Sequence, residues 1–525
     1  MKKTAILILL ALTMREGYAA AIYRPDTLTL QQLRNERKIA AEHKRRIIFN
    51  NDGNEPFRYV KELSAKGLLA PRTLGLENTQ VDAIFYCTSH SWGNFSHNTA
   101  IGSVLTVKEN PKTATLFTNN VTGELIAAGL DPLKVMVDFG HQNNKEVFWS
   151  MRMNDTHDGG KDGYGPVLFN ANKIKTSHPE YLVGARFEKG TGSWSAANYG
   201  LKEVRDYTFR FIEEVCKNYD VDGIELDFFR HRTFFKSTFK GKNASVEEIE
   251  AMTDLMRRIR KMTEVEGLKR KRPILISMRL PDSKEYAKAI GLDMDSWLKE
   301  GLLDMMTVGG YIRLNPWATS VALGHKYGVM VYPDVEESRL NDTSAARLRN
   351  TPLSYRAQAL EAWMSGADGV YMFNFFKPKS SLWKEMGSRE VLRNLDRDHF
   401  ASTRGIGKVA AVDHQSYQDI AVLNPDSPIA IKDTGVSVNI FFENGNKGHT
   451  RLRIKLNSYE DINNLTIKFN GQQLGATYLS EGWLCAVIQP GQIINGINTV
   501  SVKQKNNSKL LLWTDAELQY RNGNF

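Results

Sequence analysis

The sequence predicts an α/β fold, a (β/α)8 TIM barrel, followed by a C-terminal all-β sandwich. Two observations lead to this. First, eight short apolar runs that end in polar residues alternate with longer stretches of helical periodicity. Second, after about Arg404 the helical periodicity disappears, and short alternating runs are separated by Asn-Gly turns. A chain of 525 residues is long enough to form both units.

The composition is that of an ordinary globular protein. Hydrophobic residues make up 42% and charged residues 24%, which excludes a disordered, collagenous or coiled-coil chain. The net charge is +10, but the positive residues are scattered, and their longest run is Lys269–Arg272. We therefore expect no nucleic-acid partner, whereas a mildly cationic surface suits an anionic substrate. Cys87, Cys216 and Cys485 match no zinc spacing, so we expect buried free thiols.

Residues 1–21 have the layout of a secretory signal peptide. Met1–Lys3 is followed by an apolar run from Ala5 to Met14 and then by the small residues Ala19–Ala21. We expect cleavage after Ala21 and a periplasmic or secreted protein without a stable membrane anchor, because the apolar run is too short to span a bilayer. A retained anchor is the alternative.

Residues 22–45 are predicted to be a polar, helix-prone arm, and residues 46–403 the barrel. Helical periodicity is clearest at Val204–Tyr219, Ser245–Glu264 and Tyr355–Gly366. The eight predicted barrel strands are Arg46–Asp52, Val81–Ser89, Val147–Asp155, Val221–Phe228, Ile274–Pro281, Met305–Ile312, Val329–Glu337 and Val370–Phe376.

Residues 404–525 are predicted to be the β-sandwich. Asn-Gly pairs that begin at Asn444, Asn470 and Asn495 favour hairpin turns. The predicted strands of this unit are Val436–Phe442, Thr450–Leu456, Leu465–Phe469, Trp483–Ile488, Thr499–Gln504 and Lys509–Leu512.

Polar residues end the barrel strands, where parallel barrels have their active sites. Because side chains alternate along a strand, Glu225 and Asp227 of the fourth strand and Asp334 and Glu336 of the seventh are predicted to point inward. We interpret these four carboxylates as catalytic candidates. The same alternation predicts inward substrate-binding residues on the other strands and on the seventh, namely Asn50, Asp52, Arg152, Asn154, Arg279, Tyr332 and Asn374.

The loops beyond the strands add further substrate-binding candidates. Trp92 follows the second strand and could stack on a sugar ring, although a tryptophan that fills a hydrophobic gap is as common. The other candidates are Asp155, His157, Arg230, His231 and Tyr311. The two histidines could hold a metal with neighbouring acids, but no metal-binding spacing is present, so we expect neither a metal nor another cofactor.

Carboxylates on the fourth and seventh strands suit glycoside hydrolysis. Where like charges crowd, the pKa of one carboxyl rises while a partner stabilised by arginine stays ionised. Glycoside hydrolysis needs one group to protonate the leaving oxygen and another to attack the sugar or activate water. Arg152 and Arg279 would hold the ionised group or bind a carboxylate or sulfate of the substrate. The alternative is a buried ion-pair network that closes the barrel.

One stretch carries a family resemblance. Tyr219–Phe228 (YDVDGIELDF) resembles the fourth-strand signature of glycoside-hydrolase-like (β/α)8 proteins, among them family 10 glycosyl-hydrolase-like proteins. Arg46–Asn54 and Glu146–Asp158 are similar to the first and third strands of that group, and hydrolases of marine galactans such as carrageenan look nearest. The resemblance implies a secreted hydrolase of the O-glycosidic bonds of a poly- or oligosaccharide. It places the acid/base on the fourth strand and the nucleophile on the seventh, or, as in other barrel clans, the nucleophile on the fourth.

The sequence departs from the chitinase-like pattern D-G-x-D-x-D-x-E. Asp222, Gly223 and Asp227 fit it, but Glu225 replaces an aspartate, and Phe229 stands where the catalytic glutamate is expected. This departure argues against a mechanism assisted by an N-acetyl group. The competing hypothesis is a non-catalytic carbohydrate-binding protein on a degenerate barrel, which would lack facing carboxylates on the fourth and seventh strands.

Overall fold

Eight parallel strands close into a barrel in a computed structural model that describes residues 28–108, 116–405, 412–460, 462–506, 510–523 and 525. The strands are β1 Ile47–Asn51, β2 Val81–Cys87, β3 Glu146–Arg152, β4 Gly223–Asp227, β5 Leu275–Leu280, β6 Met305–Val308, β7 Met330–Val335 and β8 Val370–Phe373. The barrel prediction is confirmed. The predicted signal peptide lies outside the described residues, and no helix within them is long and apolar enough to span a membrane.

Helices surround the barrel and bury its apolar outer face. Ile224 and Leu226 of β4 belong to the core between strands and helices, so Glu225 and Asp227 face the interior, as predicted. Gly223 also faces inward, and a Cβ there would lie 2.2 Å from Cε1 of Phe148. Only glycine therefore leaves room for the phenyl ring that fills the barrel at this level.

The predicted helical periodicities correspond to Lys202–Asn218, Val246–Arg270 and Pro352–Met364. The other α-helices are Leu30–Ala41, Glu55–Arg58, Ala65–Leu69, Thr122–Ala127, Pro132–Gln142, Gly165–Ala171, Lys173–Ser177, Lys236–Phe239, Lys284–Ala289, Met294–Lys299, Trp317–Lys326, Thr343–Arg349, Leu382–Glu385 and Arg389–Leu392. The loop after β2 carries a small sheet of Ser89–Ser91, Asn94–Phe95 and Ser103–Val104.

The segment before β1 closes the amino-terminal end of the barrel. Its helix, Leu30–Ala41, lies against Val246–Arg270 through ion pairs of Arg34 and Arg37 with Glu264. Arg45 is fully buried and donates to the backbone carbonyls of residues 40, 41 and 43. This end of the barrel is therefore plugged, and only the carboxyl ends of the strands can open to substrate.

Aspartates at the start of every second strand hold the neighbouring strand at the plugged end. Each aspartate accepts a hydrogen bond from a backbone N–H within one residue of the start of the preceding strand. The donors are Arg46 for Asp82 (2.7 Å), Val147 for Asp222 (2.8 Å), Ile276 for Asp304 (2.7 Å) and Val331 for Asp368 (2.7 Å). Asp222 belongs to the stretch that carries the family resemblance. Its role in this structure is to join strands at the end opposite the candidate site.

The carboxyl-terminal unit is the predicted sandwich of two antiparallel sheets. Its strands are β9 Arg397–Phe400, β10 Ile429–Ile431, β11 Val436–Phe442, β12 His449–Leu456, β13 Leu465–Phe469, β14 Gln472–Gln473, β15 Tyr478–Ser480, β16 Trp483–Ile488, β17 Gly496–Gln504 and β18 Leu511–Arg521. One sheet has the order β9-β18-β12-β16-β15, with β10 also paired to β18, and the other has the order β11-β17-β13-β14. The sandwich prediction is confirmed, and so are the free, buried cysteines.

Two details of the predicted sandwich need correction. Strand β9 pairs with β18, so the sandwich begins before the boundary predicted at residue 404. The last predicted strand, Lys509–Leu512, is in fact the longer β18, and Lys509 itself lies outside the described residues. The polar residues Asp515 and Glu517 break the apolar pattern of this strand. In the structure they are buried and form ion pairs with Arg349 and Arg453, which are far away in the sequence.

Candidate active site

Charges of opposite sign alternate around the mouth of the barrel. The register pairs Arg152 with Asp227 and Asp227 with Arg279 on neighbouring strands. Asp52 directly follows β1, and Asp334 lies in β7. Because all five side chains come from inward-facing positions near the strand ends, they form a belt of alternating acids and arginines.

Arg279 is the centre of the buried side of this belt. Its Nη2 lies 2.5 Å from Oδ2 of Asp334, and its Nη1 lies 3.2 Å from Oδ2 of Asp227. Burial lowers the pKa of Arg279, but the charges of Asp334 and Asp227 outweigh it and hold the pKa well above its ordinary value. Gly310 leaves space for this pair, since a Cβ there would lie 2.7 Å from both Nη2 of Arg279 and Oδ2 of Asp334.

Among the four catalytic candidates, Glu225 and Asp334 have raised pKa values. Burial raises the pKa of Glu225, and the charge of Asp227 adds to the rise, while hydroxyl groups of Ser150 and Tyr371 donate to Oε2. Burial also raises the pKa of Asp334, against the opposing charge of Arg279. Both groups therefore keep a proton to higher pH than an exposed acid does.

Glu336 differs from the other three carboxylates. It is fully buried, and neither of its carboxylate oxygens accepts a hydrogen bond from the described residues. Oε1 lies 3.6 Å from Nε of Arg404, and Oε2 lies 3.9 Å from Nη2 of Arg279. Arg404 comes from the segment that leads into the sandwich, and it donates to the backbone carbonyls of Gly310 and Glu336. Glu336 thus lies between two guanidinium groups without a tight bond to either.

A second group of charges lies on the open side of the mouth. Arg152 binds Asp52 and also donates from Nη1 to Oδ2 of Asp155 at 2.8 Å. The other oxygen of Asp155 lies 2.6 Å from Nδ1 of His157, whose Nε2 accepts from Arg230 at 3.2 Å. The side chains of Asp52 and His157 are 14% and 24% exposed, so solvent reaches this group.

Arginines also set the ionisation of Asp52. Burial opposes the charged form, but Arg152 and Arg230 hold the pKa of Asp52 below its ordinary 3.8. Asn374 completes the contacts of this carboxylate by donating from Nδ2 to Oδ2 at 3.1 Å. Asp52 is therefore an ionised carboxylate at the solvent-facing edge of the mouth.

Asp155, His157 and His231 are the residues that could hold a metal ion, since their ligand atoms lie within 4.8 Å of one another. Each already takes part in protein hydrogen bonds, and Nδ1 of His231 accepts from the backbone N–H of Thr156 at 3.2 Å. Burial lowers the pKa of His231 well below 6.5, and Arg152 and Arg230 add positive charge. The carboxylates of Asp52 and Asp155 balance these two arginines, so charge alone favours neither an anion nor a cation at this cluster.

Aromatic residues cover the buried carboxylates from the mouth. The guanidinium carbon of Arg279 lies 4.0 Å from the ring centroid of Phe373 and 5.6 Å from that of Phe229. Tyr311, a predicted substrate-binding residue, stacks on Phe229 with 6.1 Å between centroids. As a result Glu225, Asp227, Asp334 and Glu336 are all buried, although they point inward as predicted.

Four predicted substrate-binding residues have other roles. Trp92 is fully buried against Phe211 and donates to Thr208, so it is the gap-filling tryptophan of the two alternatives. Tyr332 lies deep in the barrel near Arg45 of the plug. Asn154 uses its amide to join the backbone of Ala197 and Thr233. Asn50 is buried inside the barrel. All four side chains are at most 2% exposed, and whether any of them contacts substrate stays a prediction.

Sequence reasoning missed several residues of the site. Phe373 was missed because alternation counted from Asn374 places it outward, whereas Tyr371 and Phe373 face the interior in the structure. Arg339 and Arg404 had no alternation signal, because they lie beyond the strands, and their positions depend on how distant segments pack.

The fold and the site together define a class, a (β/α)8 barrel with an ion-paired, carboxylate-rich mouth and an attached β-sandwich. No protein-family model matches the chain, and no curated protein matches its sequence. The resemblance to family 10-like and galactan-active hydrolases therefore stays a prediction.

Three solved structures to which the chain is similar are glycoside hydrolases. Alpha-L-fucosidase isoenzyme 2 from Paenibacillus thiaminolyticus has a TM-score of 0.37 and 11% identity, over 66% of this chain and 48% of that one. A glycoside hydrolase family 18 N-acetylglucosaminidase from Paenibacillus barengoltzii has a TM-score of 0.36 and 11% identity, over 64% and 97% of the two chains. The glycoside hydrolase domain of PgaB (BpsB) from Bordetella bronchiseptica has a TM-score of 0.37 and 10% identity, over 63% and 93%. The chain thus spans about half the length of the fucosidase.

Proposed function

We propose that the protein is a glycoside hydrolase that cleaves O-glycosidic bonds of a poly- or oligosaccharide at the barrel mouth. The observation that supports this most is Glu336, a buried carboxylate whose oxygens accept no hydrogen bond from the described residues. Leaving a buried charge without hydrogen bonds costs stability. Such a group in a barrel mouth is better explained by a role in chemistry than by a role in folding.

Asp227 of β4 and Glu336, just after β7, are the pair that we expect to react. Both contact Arg279, at 3.2 and 3.9 Å, so they lie on different sides of one guanidinium group. Burial raises the pKa of the neighbouring Glu225, which reduces the negative charge crowded around the pair. One member of the pair would protonate the leaving oxygen, and the other would attack the sugar or activate water.

The test begins with a substrate screen of the purified full-length protein. Neutral and anionic polysaccharide fragments are incubated with the protein, and the products are resolved by size and anomeric form. Cleavage of any fragment gives a substrate for variants. Retention of the anomeric configuration would indicate a covalent intermediate, and inversion a directly activated water.

On that substrate Glu336→Gln and Asp227→Asn are each expected to lower kcat by about 10²–10⁴-fold, the usual contribution of a positioned acid or base. Glu42→Gln is the matched control, because Glu42 is an exposed glutamate at the plugged end of the barrel. Full activity of both site variants would refute the assignment of the pair.

A non-catalytic carbohydrate-binding protein is the second candidate function, and one specific observation favours it. Arg279 lies between Asp227 and Asp334, and all three are buried, so no open cleft separates the carboxylates of β4 and β7. Saturable binding of an oligosaccharide without any product, at high protein concentration and long incubation, would select this function.

Export of the protein is a separate part of the proposal, since the sequence of residues 1–21 is typical of a signal peptide. Amino-terminal sequencing of protein recovered from periplasm or medium is expected to begin at Ile22. An intact amino terminus on cytoplasmic protein would contradict export.

A further inference from the structure

The arginines predicted to bind an anionic substrate are already neutralised inside the protein. Arg152 binds Asp52 and Asp155, and Arg279 binds Asp227 and Asp334. An added sulfate or carboxylate would have to displace these acids from their arginines. Neither arginine is therefore available to a substrate.

Arg230 differs, because its guanidinium is only partly satisfied. Its Nη2 lies 3.2 Å from Nε2 of His157, whereas the buried Nη1 has no hydrogen-bond partner among the described residues. Burial lowers the pKa of Arg230, and the positive charge of Arg152 lowers it further. A buried guanidinium nitrogen without an acceptor is costly, and an oxoanion would satisfy it.

Arg339 is a second guanidinium at the same aromatic ring. The guanidinium carbons of Arg339 and Arg230 lie 4.6 and 5.4 Å from the ring centroid of Tyr311. The acid paired with Arg339 is Glu337, at 3.9 Å, and the Arg339 side chain is 42% exposed. The buried hydroxyl of Tyr311 also has no partner among the described residues, so it is a further hydrogen-bond donor at this ring.

We propose that Arg230, Arg339 and Tyr311 form a binding site for an oxoanion of the substrate, either a sulfate ester or a carboxylate. Stacking on an aromatic ring fixes the plane of a guanidinium and leaves its edge free for bidentate contact with oxygen atoms. Arg230 also contacts His157 of the open group, so the anion binds next to the group of Asp52 and His157. The proposal rests on the proposed function only in that the anion belongs to a saccharide.

The experiment is calorimetric titration of the full-length protein with three size-matched ligands, namely dextran, dextran sulfate and oligogalacturonate. We expect at least one of the two anionic ligands to bind at least tenfold more tightly than dextran. A preference for dextran sulfate identifies a sulfate site, and a preference for oligogalacturonate a carboxylate site. Equal affinity for all three ligands would overturn the proposal.

Variants test whether these arginines carry the preference. Arg339→Gln and Arg230→Gln are each expected to remove most of the tenfold preference for the anionic ligand over dextran. The control is Arg347→Gln, an exposed arginine on the helix Thr343–Arg349 that changes the net charge equally. Because Arg339 is exposed, its variant is expected to fold even if Arg230→Gln does not. The same affinities in Arg339→Gln and Arg347→Gln would overturn the proposal.

The outcomes separate this proposal from the proposed function. Preferential binding of an anionic ligand without cleavage of any glycan would support the oxoanion site and contradict the hydrolase. Cleavage of a neutral glycan with no preference for anionic ligands would support the hydrolase and contradict the oxoanion site.

Discussion

Glu336 and Asp334 are both buried carboxylates at the end of β7, but they are held very differently. Asp334 accepts from Nε and Nη2 of Arg279 at 3.0 and 2.5 Å, whereas Glu336 lies 3.6 Å or more from the nearest arginine nitrogens. Removing one member of a tightly bonded buried pair leaves the other charge uncompensated. Stability and activity should therefore respond differently at these two positions.

Asp334→Ala is expected to lower the free energy of unfolding by about 3–5 kcal/mol, the usual cost of removing one partner of a buried ion pair. Glu336→Gln is expected to change it by less than about 1 kcal/mol, because no hydrogen bond of the carboxylate is lost. Urea denaturation of both variants and the wild type measures the two values. An equally large loss in Glu336→Gln would assign Glu336 to the structural network.

The open group makes stability depend on pH through Asp155. Burial opposes ionisation, but His157 and Arg152 hold the pKa of Asp155 well below 3.8 in the folded protein. A folded pKa below the unfolded one means that ionised Asp155 stabilises the protein above about pH 4, and that this contribution is lost as the pH falls toward the folded pKa.

Asp155→Asn is therefore expected to destabilise the protein most at neutral pH, and the difference from wild type is expected to shrink below about pH 4. Denaturation curves at pH 7 and pH 3.5 give the two differences. A difference that does not change with pH would contradict a depressed pKa in the folded state.

For single residues, the sequence predicted which way a side chain points but not how far it is exposed to solvent. Strand alternation correctly placed Glu225, Asp227 and Asp334 in the interior. The surroundings of Glu336 include Arg404, which reaches the site from the distant segment that leads into the sandwich. Periodicity within one strand contains no information about such contacts.

Among the elements of the barrel, β4 combines a structural and a candidate functional aspartate within one short motif. Asp222 accepts from the backbone N–H of Val147 and binds Arg272 at the plugged end, while Asp227 lies at the mouth. The family resemblance of this stretch therefore comes partly from residues that hold the barrel together. Conservation at this end of a barrel generally reflects stability.

Asp222→Ala is expected to cost about 1–3 kcal/mol of stability, because it leaves a buried backbone donor without a partner, and to leave carbohydrate binding unchanged. Asp220→Ala is the matched control, since Asp220 pairs with the same Arg272 but is exposed. Thermal unfolding and calorimetric titration measure the two effects. A loss of binding in folded Asp222→Ala would contradict a purely structural role.

Strands and helices with a regular pattern of apolar residues were predicted well. Strands that contain buried, ion-paired residues were not. Val436–Phe442 and Trp483–Ile488 have the predicted bounds, because apolar residues define them, alternating in the first strand and continuous in the second. Strand β18 was predicted as only a short segment, since Asp515 and Glu517 interrupt its alternation. A pattern of hydrophobic residues does not reveal a strand whose buried charges are paired with arginines far away in the sequence.

At the scale of the whole molecule, a buried ion pair joins the barrel to the sandwich. Arg349, at the end of the helix Thr343–Arg349, donates from Nη2 and Nη1 to the two carboxylate oxygens of Asp515 in β18 at 2.7 and 3.0 Å. Both side chains are fully buried or nearly so. Arg404 reinforces the junction by reaching from the connecting segment to Glu336, so docking of the sandwich also shapes the barrel mouth.

Breaking this pair from one side should therefore be worse than removing it completely. Arg349→Met and Asp515→Leu are each expected to cost about 3–5 kcal/mol, because each leaves a buried charge alone, whereas the double variant replaces the pair by apolar side chains and is expected to recover much of that loss. Urea denaturation gives the three values, with Arg347→Met on the same helix as the exposed control. If the losses of the two single variants simply add in the double variant, the residues do not stabilise the junction as a pair.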